Sequence, residues 1–396
     1  MHNIHWMAGE VMWKHGVNEN EKVPLEERIE CLTRATTSYS VSLENLNIDN
    51  TLLQNRFSTR NSSGESLSQR YCVTPSRDEV NRILSQLSEQ IDVAKLQTRT
   101  VSTIVSSVNA KNIDEEQISE LRTSLVDISK LYNEFAAPLG LYDICLAILQ
   151  TCKHDDLSTV TKLWRSILCE ELLPCRTKSK IVQGFLTSLQ RGSMLEEESV
   201  ILSNTAVTKE DGDPLMTFED GQWIVNIKAR VITLGKELHG KGTDFVFPLR
   251  FVAECLEGLC RAFDESTNSR SDHWPIKVLV ESGAPFTSLL DAYDSIFSNK
   301  SDNSSPALKL VEMSNIGELI NLWVSYANNS AVGTQSGALN TSDAKRMQLR
   351  RYSSGILTQI DKYKVELESL VGCNSDDVSR CYNLFNDLEK VLRRGW

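Results

Sequence analysis

The stretch with the best claim to chemistry in this 396-residue chain runs from Gly235 to Lys241. A glycine, four residues and then Gly240-Lys241 is the spacing of a loop whose backbone N–H groups cradle phosphates, and Val231-Ile232-Thr233-Leu234 has the β-branched character of a strand that could feed it. Two features count against that reading. Such a loop needs Ser or Thr directly after the lysine to hold magnesium, whereas Gly242 stands there and Thr243 comes one place late. It also needs a helix beginning at the lysine, and no apolar period appears until Pro248. A helix that ends in a glycine-rich loop is the simpler expectation, with an NTP-dependent enzyme at Gly235 to Lys241 kept as an alternative.

Other chemistries have less support. The six histidines (2, 5, 15, 154, 239 and 273) are scattered, and although His2 and His5 could share a helical face, no carboxylate or cysteine completes a ligand set. The chain has no His-Glu-x-x-His, Gly-x-Ser-x-Gly or Gly-x-Gly-x-x-Gly. Glu26-Glu27 and Glu170-Glu171 are adjacent acids, but neighbours on a helix point in different directions. Lys345, Arg346, Arg350 and Arg351 form the basic cluster beside an aromatic residue, and a solvated helix end accounts for them. The sequence therefore predicts no catalytic residue, no cofactor, no metal site and no enzyme.

Composition agrees with a folded protein: 40% of residues are hydrophobic and 24% charged. The formal charge of -11 argues against a general electrostatic grip on nucleic acid or anionic lipid. No apolar run approaches the roughly 20 residues of a membrane span, and the opening residues lack a signal peptide's pattern, so an intracellular protein is expected. The ten cysteines never form Cys-x-x-Cys and several occupy apolar helical positions, which suggests buried, reduced thiols.

The elements that must carry these residues read as helices almost throughout. Between 114 and 136, Ile118, Leu121, Leu125, Ile128, Leu131, Tyr132 and Phe135 recur three or four apart and predict one helix. The period returns at Leu157 to Ile167 and at Leu249 to Phe263, and an unbroken run from Thr74-Pro75 to Val108 predicts the longest helix. Six of the nine prolines stand at or just before such runs, where a missing N–H costs nothing. Helix starts are expected near 24, 75, 114, 139, 156, 222, 248, 273, 285, 306, 343 and 375, with no fixed repeat. Trp164, Trp223, Trp274 and Trp323 lie in apolar helical contexts and should anchor neighbouring helices; any that proved exposed would suggest a partner groove.

The expected fold is all-α, an irregular α-solenoid of stacked antiparallel helix pairs, each burying its apolar stripe against its neighbours. Its expected parts are edge helices at 1–35, a polar insert at 36–74 that is too rich in Ser, Asn and Thr to order, solenoid at 75–191, an acidic flexible insert at 192–221, solenoid at 222–327, a loop at 328–342 and C-terminal helices at 343–396.

Several blocks, in this order, resemble the C-terminal helical region of the inner-ring nucleoporins of the 155/170 type: residues 121–152, 160–173, 228–257 and 277–297, with 24–35 and 87–97 similar to its upstream helices and the similarity weakening after Asp343. The distinctive pieces are the joint Leu131, Tyr132, Phe135 and Pro138, and the helix opening Phe247, Pro248, Leu249; Trp164 belongs to another block. The resemblance implies that these eight residues pack helix on helix. It further implies a structural subunit of the nuclear pore complex at the nuclear envelope, binding other inner-ring nucleoporins and linker peptides. Neither nucleic-acid binding nor membrane insertion is implied for this region. An α-solenoid adaptor of a vesicle coat or other cytosolic assembly is the alternative of the same fold.

Overall fold

Apolar residues at three- and four-residue spacing give helices, and prolines or acidic N-caps start them. The protein was described from a computed structural model, which covers residues 2–18, 22–57, 76–106, 114–175, 177, 179–194, 217–239, 244–268, 273–299, 305–329, 341–370 and 373–394, without the side chains of 2–3, 46–57 and 341–346. The described residues are helical apart from short connections, and they fall into two compact units, 1–155 and 156–396.

The first unit contains α1 (His2–Val17), α2 (Leu25–Phe57), α3 (Arg77–Ser106), α4 (Glu115–Thr123), α5 (Ile128–Lys130) and α6 (Tyr142–Cys152). Leu32, Ala35 and Tyr39 of α2 meet Val80, Ile83, Leu87 and Ile91 of α3, and Trp6 and Trp13 of α1 close over Tyr39 edge-on, at ring distances of 5.0 and 6.5 Å. Gly9 makes that closure possible, because a Cβ there would lie 3.0 Å from the Tyr39 ring.

The second unit contains α7 (Leu157–Leu172), α8 (Lys180–Gln190), α9 (Gln222–Leu238), α10 (Leu249–Thr267), α11 (Trp274–Glu281), α12 (Phe286–Asn299), α13 (Pro306–Asn329), α14 (Thr341–Ser369) and α15 (Ser375–Arg393). Each helix packs chiefly on those one or two places away: α7 on α8 and α9, α10 on α11 and α12, α12 on α13, and α13 on α14 and α15. That is the nearest-neighbour packing of a solenoid.

The structure departs from the sequence reading in three stretches: 114–136, the course of α2 and the acidic insert. The helix expected over 114–136 breaks between α4 and α5. Gln97 of α3, fully buried, donates from Nε2 to the Leu121 and Ser124 carbonyls and accepts from the Val126 N–H. Asp127 then caps the next turn by accepting from the Ser129 N–H. Beyond α5 the helix widens to π geometry over Leu131–Ala136, closed by the Ala137 N–H on Tyr132 O. Pro138 follows and has no N–H to continue it.

The longest helix is α2, at 33 residues, rather than α3, at 30. It continues through polar residues that were expected to leave the helix at 36. Tyr39 and Ser42 are buried there, and the Thr36 and Thr37 hydroxyls bond back to the carbonyls of Leu32 and Thr33, so polarity does not prevent helix formation. Residues 58–74 of the expected insert lie outside the described residues.

Val231 to Leu234 is the interior of α9, in agreement with a helix there rather than the strand of the alternative reading. Lastly, the acidic stretch expected to be flexible over 192–221 is ordered at its end. Thr217 and Asp220 form a reciprocal capping box, and Phe218 is buried against Trp223. Residues 195–216, and 330–340 of the third expected loop, lie outside the described residues.

Candidate partner-binding surfaces

The phosphate-loop candidate resolves into packing. Gly235 sits where a Cβ would come within 2.4 Å of Ser282 Cβ and 2.9 Å of its carbonyl oxygen, so glycine is needed for the close approach of α9 to the end of α11. The backbone that should be a strand is a helix, and residues 240–243 lie outside the described residues. His239, at the end of α9, rests 4.4 Å from the Phe247 ring, and burial holds its imidazole below its ordinary value. Among the described residues no group of three or more His, Cys, Asp or Glu could hold a metal ion, and no helix is long and apolar enough to cross a membrane.

The acid pairs are structural or wet. Glu170 and Glu171 both reach Arg230 of α9, at 2.7 and 3.1 Å, and Glu26 and Glu27 lie in the exposed first turn of α2. Of the basic cluster, Arg350 and Arg351 are exposed and line an open groove of about 710 Å³ with Met347, Gln348 and Tyr352; the side chains of Lys345 and Arg346 are outside the described set.

All four tryptophans expected as anchors are buried, which removes the reading of an exposed groove around them. Trp164 meets Phe247 edge-on at 4.8 Å and donates from Nε1 to the Val246 carbonyl at 2.8 Å, so two resembling blocks come together at the start of α10. Leu131 and Phe135 are buried in the first unit, where burial pushes the half-buried Tyr132 hydroxyl up to about 12. Pro138 is exposed, and Pro248 and Leu249 are half-buried at the α10 N-terminus. Seven described cysteines are buried; Cys152 is exposed and Cys373 half-buried. Burial pushes the Cys145 and Cys169 thiols up to about 12, away from reactive thiolate.

The sequence reading missed two polar sites. In the first unit Arg28, 1% exposed, donates to the carbonyls of Gly16, Asn18, Val23 and Thr123 at 2.7–3.2 Å, tying the ends of α1 and α4 to α2. In the second, Glu257 of α10, 6% exposed, accepts from Tyr293 Oη of α12 at 2.7 Å and from Asn315 Nδ2 of α13 at 2.8 Å, while His273 Nδ1 lies 2.8 Å from Asn315 Oδ1. With the amide so oriented, His273 is the donor through Nδ1. This network lies on a cleft of about 830 Å³ between α10, α13 and α15. The signal for both sites was in the sequence: Arg28 stands in the apolar spacing Leu25, Leu32, Ala35, Tyr39, and Glu257 stands between Ala253 and Cys260.

This stacked helical body with its buried anchors is similar to known nucleoporins. The family described as non-repetitive/WGA-negative nucleoporin, C-terminal, matches residues 5–371. Probable nucleoporin C890.06 of Schizosaccharomyces pombe is 29% identical over 93 residues, 23% of this chain and 7% of that protein. Nup154 of Drosophila melanogaster is 24% identical over 164 residues, 41% of this chain and 10% of that protein. This chain thus aligns with a tenth or less of either curated relative. The Nup170 C-terminal domain of Chaetomium thermophilum, solved with Nup145N, has the same fold at a TM-score of 0.57 and 14% identity, over 98% of this chain and 61% of that one. A longer Nup170 solenoid from the same organism gives 0.58 at 14% identity, over 98% and 41%. The chain belongs to the non-repetitive/WGA-negative nucleoporin C-terminal family, constituents of the nuclear pore complex, and its fold is the α-solenoid of the 155/170 type.

Proposed function

We propose that this chain is a structural scaffold of the nuclear pore inner ring at the nuclear envelope, not an enzyme, and that it supports protein and mRNA transport by binding other nucleoporins. The observation that carries the reading is the family match across residues 5–371, on a body whose described interior is given to helix packing. The mechanism is geometric: rigid helix faces display side chains at fixed spacing to linker segments and neighbouring scaffold subunits, and repetition around a ring multiplies weak contacts. The solved complex of the similar Nup170 domain with Nup145N supports another nucleoporin as the ligand here too. Leu131, Tyr132, Phe135, Pro138, Trp164, Phe247, Pro248 and Leu249 serve the scaffold by holding helices rather than partners. No direct nucleic-acid or membrane contact is needed.

Fluorescent tagging of the protein in its own cell tests this. A continuous nuclear rim is expected; cytoplasmic puncta would instead favour a vesicle-coat adaptor. Saturable micromolar binding of labelled ATP that disappears in Lys241→Ala would replace the scaffold with a nucleotide-dependent enzyme.

A further inference from the structure

We propose that the cleft between α10, α13 and α15 is a docking site for a basic, partly apolar segment of a partner protein, whose lysine or arginine reaches the Glu257 carboxylate. The inference rests on the scaffold reading only in taking the ligand to be a protein.

Size is the first argument. Packed interiors leave few voids larger than a water molecule, so about 830 Å³ is a shaped concavity rather than a packing fault. It falls within the ~300–1,000 Å³ of ligand-binding clefts. The walls give the ligand its apolar part. Leu308 and Val311 on α13, and Cys381 and Leu384 on α15, each lie three residues apart and form facing ridges. Such ridges accept side chains from a helix or an extended chain.

Charge gives the ligand its sign. Glu257 is held at the lining by two neutral donors, Tyr293 and Asn315, and a carboxylate can accept about four hydrogen bonds. Among the described residues Asp264, Glu265, Glu318 and Asp377 also line the cleft, against two arginines and His273. Of these, Arg380 already lies 3.4 Å from Asp377, and Arg261 is one turn from Glu257 on α10. An anion would meet five carboxylates, whereas a cation with an apolar flank satisfies both walls and lining. A low-dielectric concavity of one dominant sign concentrates opposite charge.

The test uses the full chain and two fluorescein-labelled helical peptides of identical leucine spacing, one with lysines and the other with glutamates on the polar face, measured by anisotropy. Saturable binding of the lysine peptide is expected. It should weaken about tenfold in Glu265→Lys/Glu318→Lys, at residues that are exposed and half-buried, and severalfold in Glu257→Gln. An unchanged melting temperature in the rim variant keeps the result interpretable should the Glu257 variant fold poorly. Absent binding, equal binding of the glutamate peptide, or affinity indifferent to the rim substitutions would overturn the proposal. A rim variant that binds no peptide, beside a wild type that never reaches the nuclear rim, would keep the cleft and sink the scaffold. Unaltered peptide binding with intact rim localisation would do the reverse.

Discussion

In residues 1–155 the interior encloses an arginine and a glutamine amide that both face backbone, whereas the interior of 156–396 is organised by aromatic rings. In the first unit the connections are crowded: the nine-residue α4, the three-residue α5 and a π turn follow one another within 115–136. Every helix end leaves unpaired backbone groups, so short elements in a core multiply buried orphans. Arg28 takes four carbonyls and Gln97 takes two carbonyls and an N–H, which is how these breaks stay buried. In the second unit aromatic rings join neighbouring elements. Phe218 stacks on Trp223 at 4.7 Å, Phe286 on Trp323 at 5.4 Å and Tyr363 on Phe385 at 5.7 Å. Crowded helix ends therefore set how much backbone the buried polar side chains of a core must capture.

Breaking the first arrangement should have the largest effect. Arg28→Ala orphans the ends of α1 and α4 and should cost about 4 kcal/mol. Native-state hydrogen exchange checks this: protection should fall in α1, α2 and α4 while the helices of 156–396 keep theirs. Arg28→Lys, which retains the charge without the planar fork, should recover only part of the loss. Equal loss of protection in both units would mean that the arginine does not act locally.

Close helix contact in the second unit comes next. Gly235→Ala drives a methyl into Ser282 and should destabilise by about 2–3 kcal/mol in urea unfolding. Ser282→Gly should recover part of this by removing the nearest atom, although the carbonyl at 2.9 Å remains. Trp164→Phe keeps a ring against Phe247 but orphans the buried Val246 carbonyl, at a cost of about 1–2 kcal/mol. A loss as large as that of Arg28→Ala would show that the aromatic unit also depends on capturing backbone.

Much of the fold was legible because its signals are local. Pro24, Pro285 and Pro306 mark helix starts, and the anchors Trp164, Trp223, Trp274 and Trp323 stand at apolar spacing and are buried. The break at 124–127 was not legible because its cause is tertiary: without the Gln97 amide nearby, the apolar period from Ile118 to Phe135 favours one helix. The course of α2 was misread because the count of Ser, Asn and Thr from 36 onward concealed Tyr39 in an apolar slot. The cleft escaped for a related reason: the apolar slot of Glu257 marks it as buried, but its partners Tyr293 and Asn315 come to it only when α12 and α13 pack on α10.

That carboxyl also offers the finest test of the comparison, since it is a buried charge without the direct backbone capture of Arg28. Burial raises its pKa above the ordinary 4.5, and the Tyr293 hydrogen bond, Arg261, His273 and Asn315 draw it only partly back. The folded chain thus keeps the proton to higher pH than the unfolded chain does. Its contribution is fully present below about 4.5 and is lost as pH rises through the folded value. Glu257→Gln removes the titration and keeps the shape. Its amide can accept from Tyr293, and a turned Asn315 can accept from it, with His273 changing tautomer to match. Denaturant unfolding across a pH series should show the glutamine chain gaining on the wild type as pH rises past 4.5, by less than the Trp164→Phe effect. Parallel profiles would mean that this carboxyl titrates alike in both states, and that the second core isolates its charge no more than solvent does.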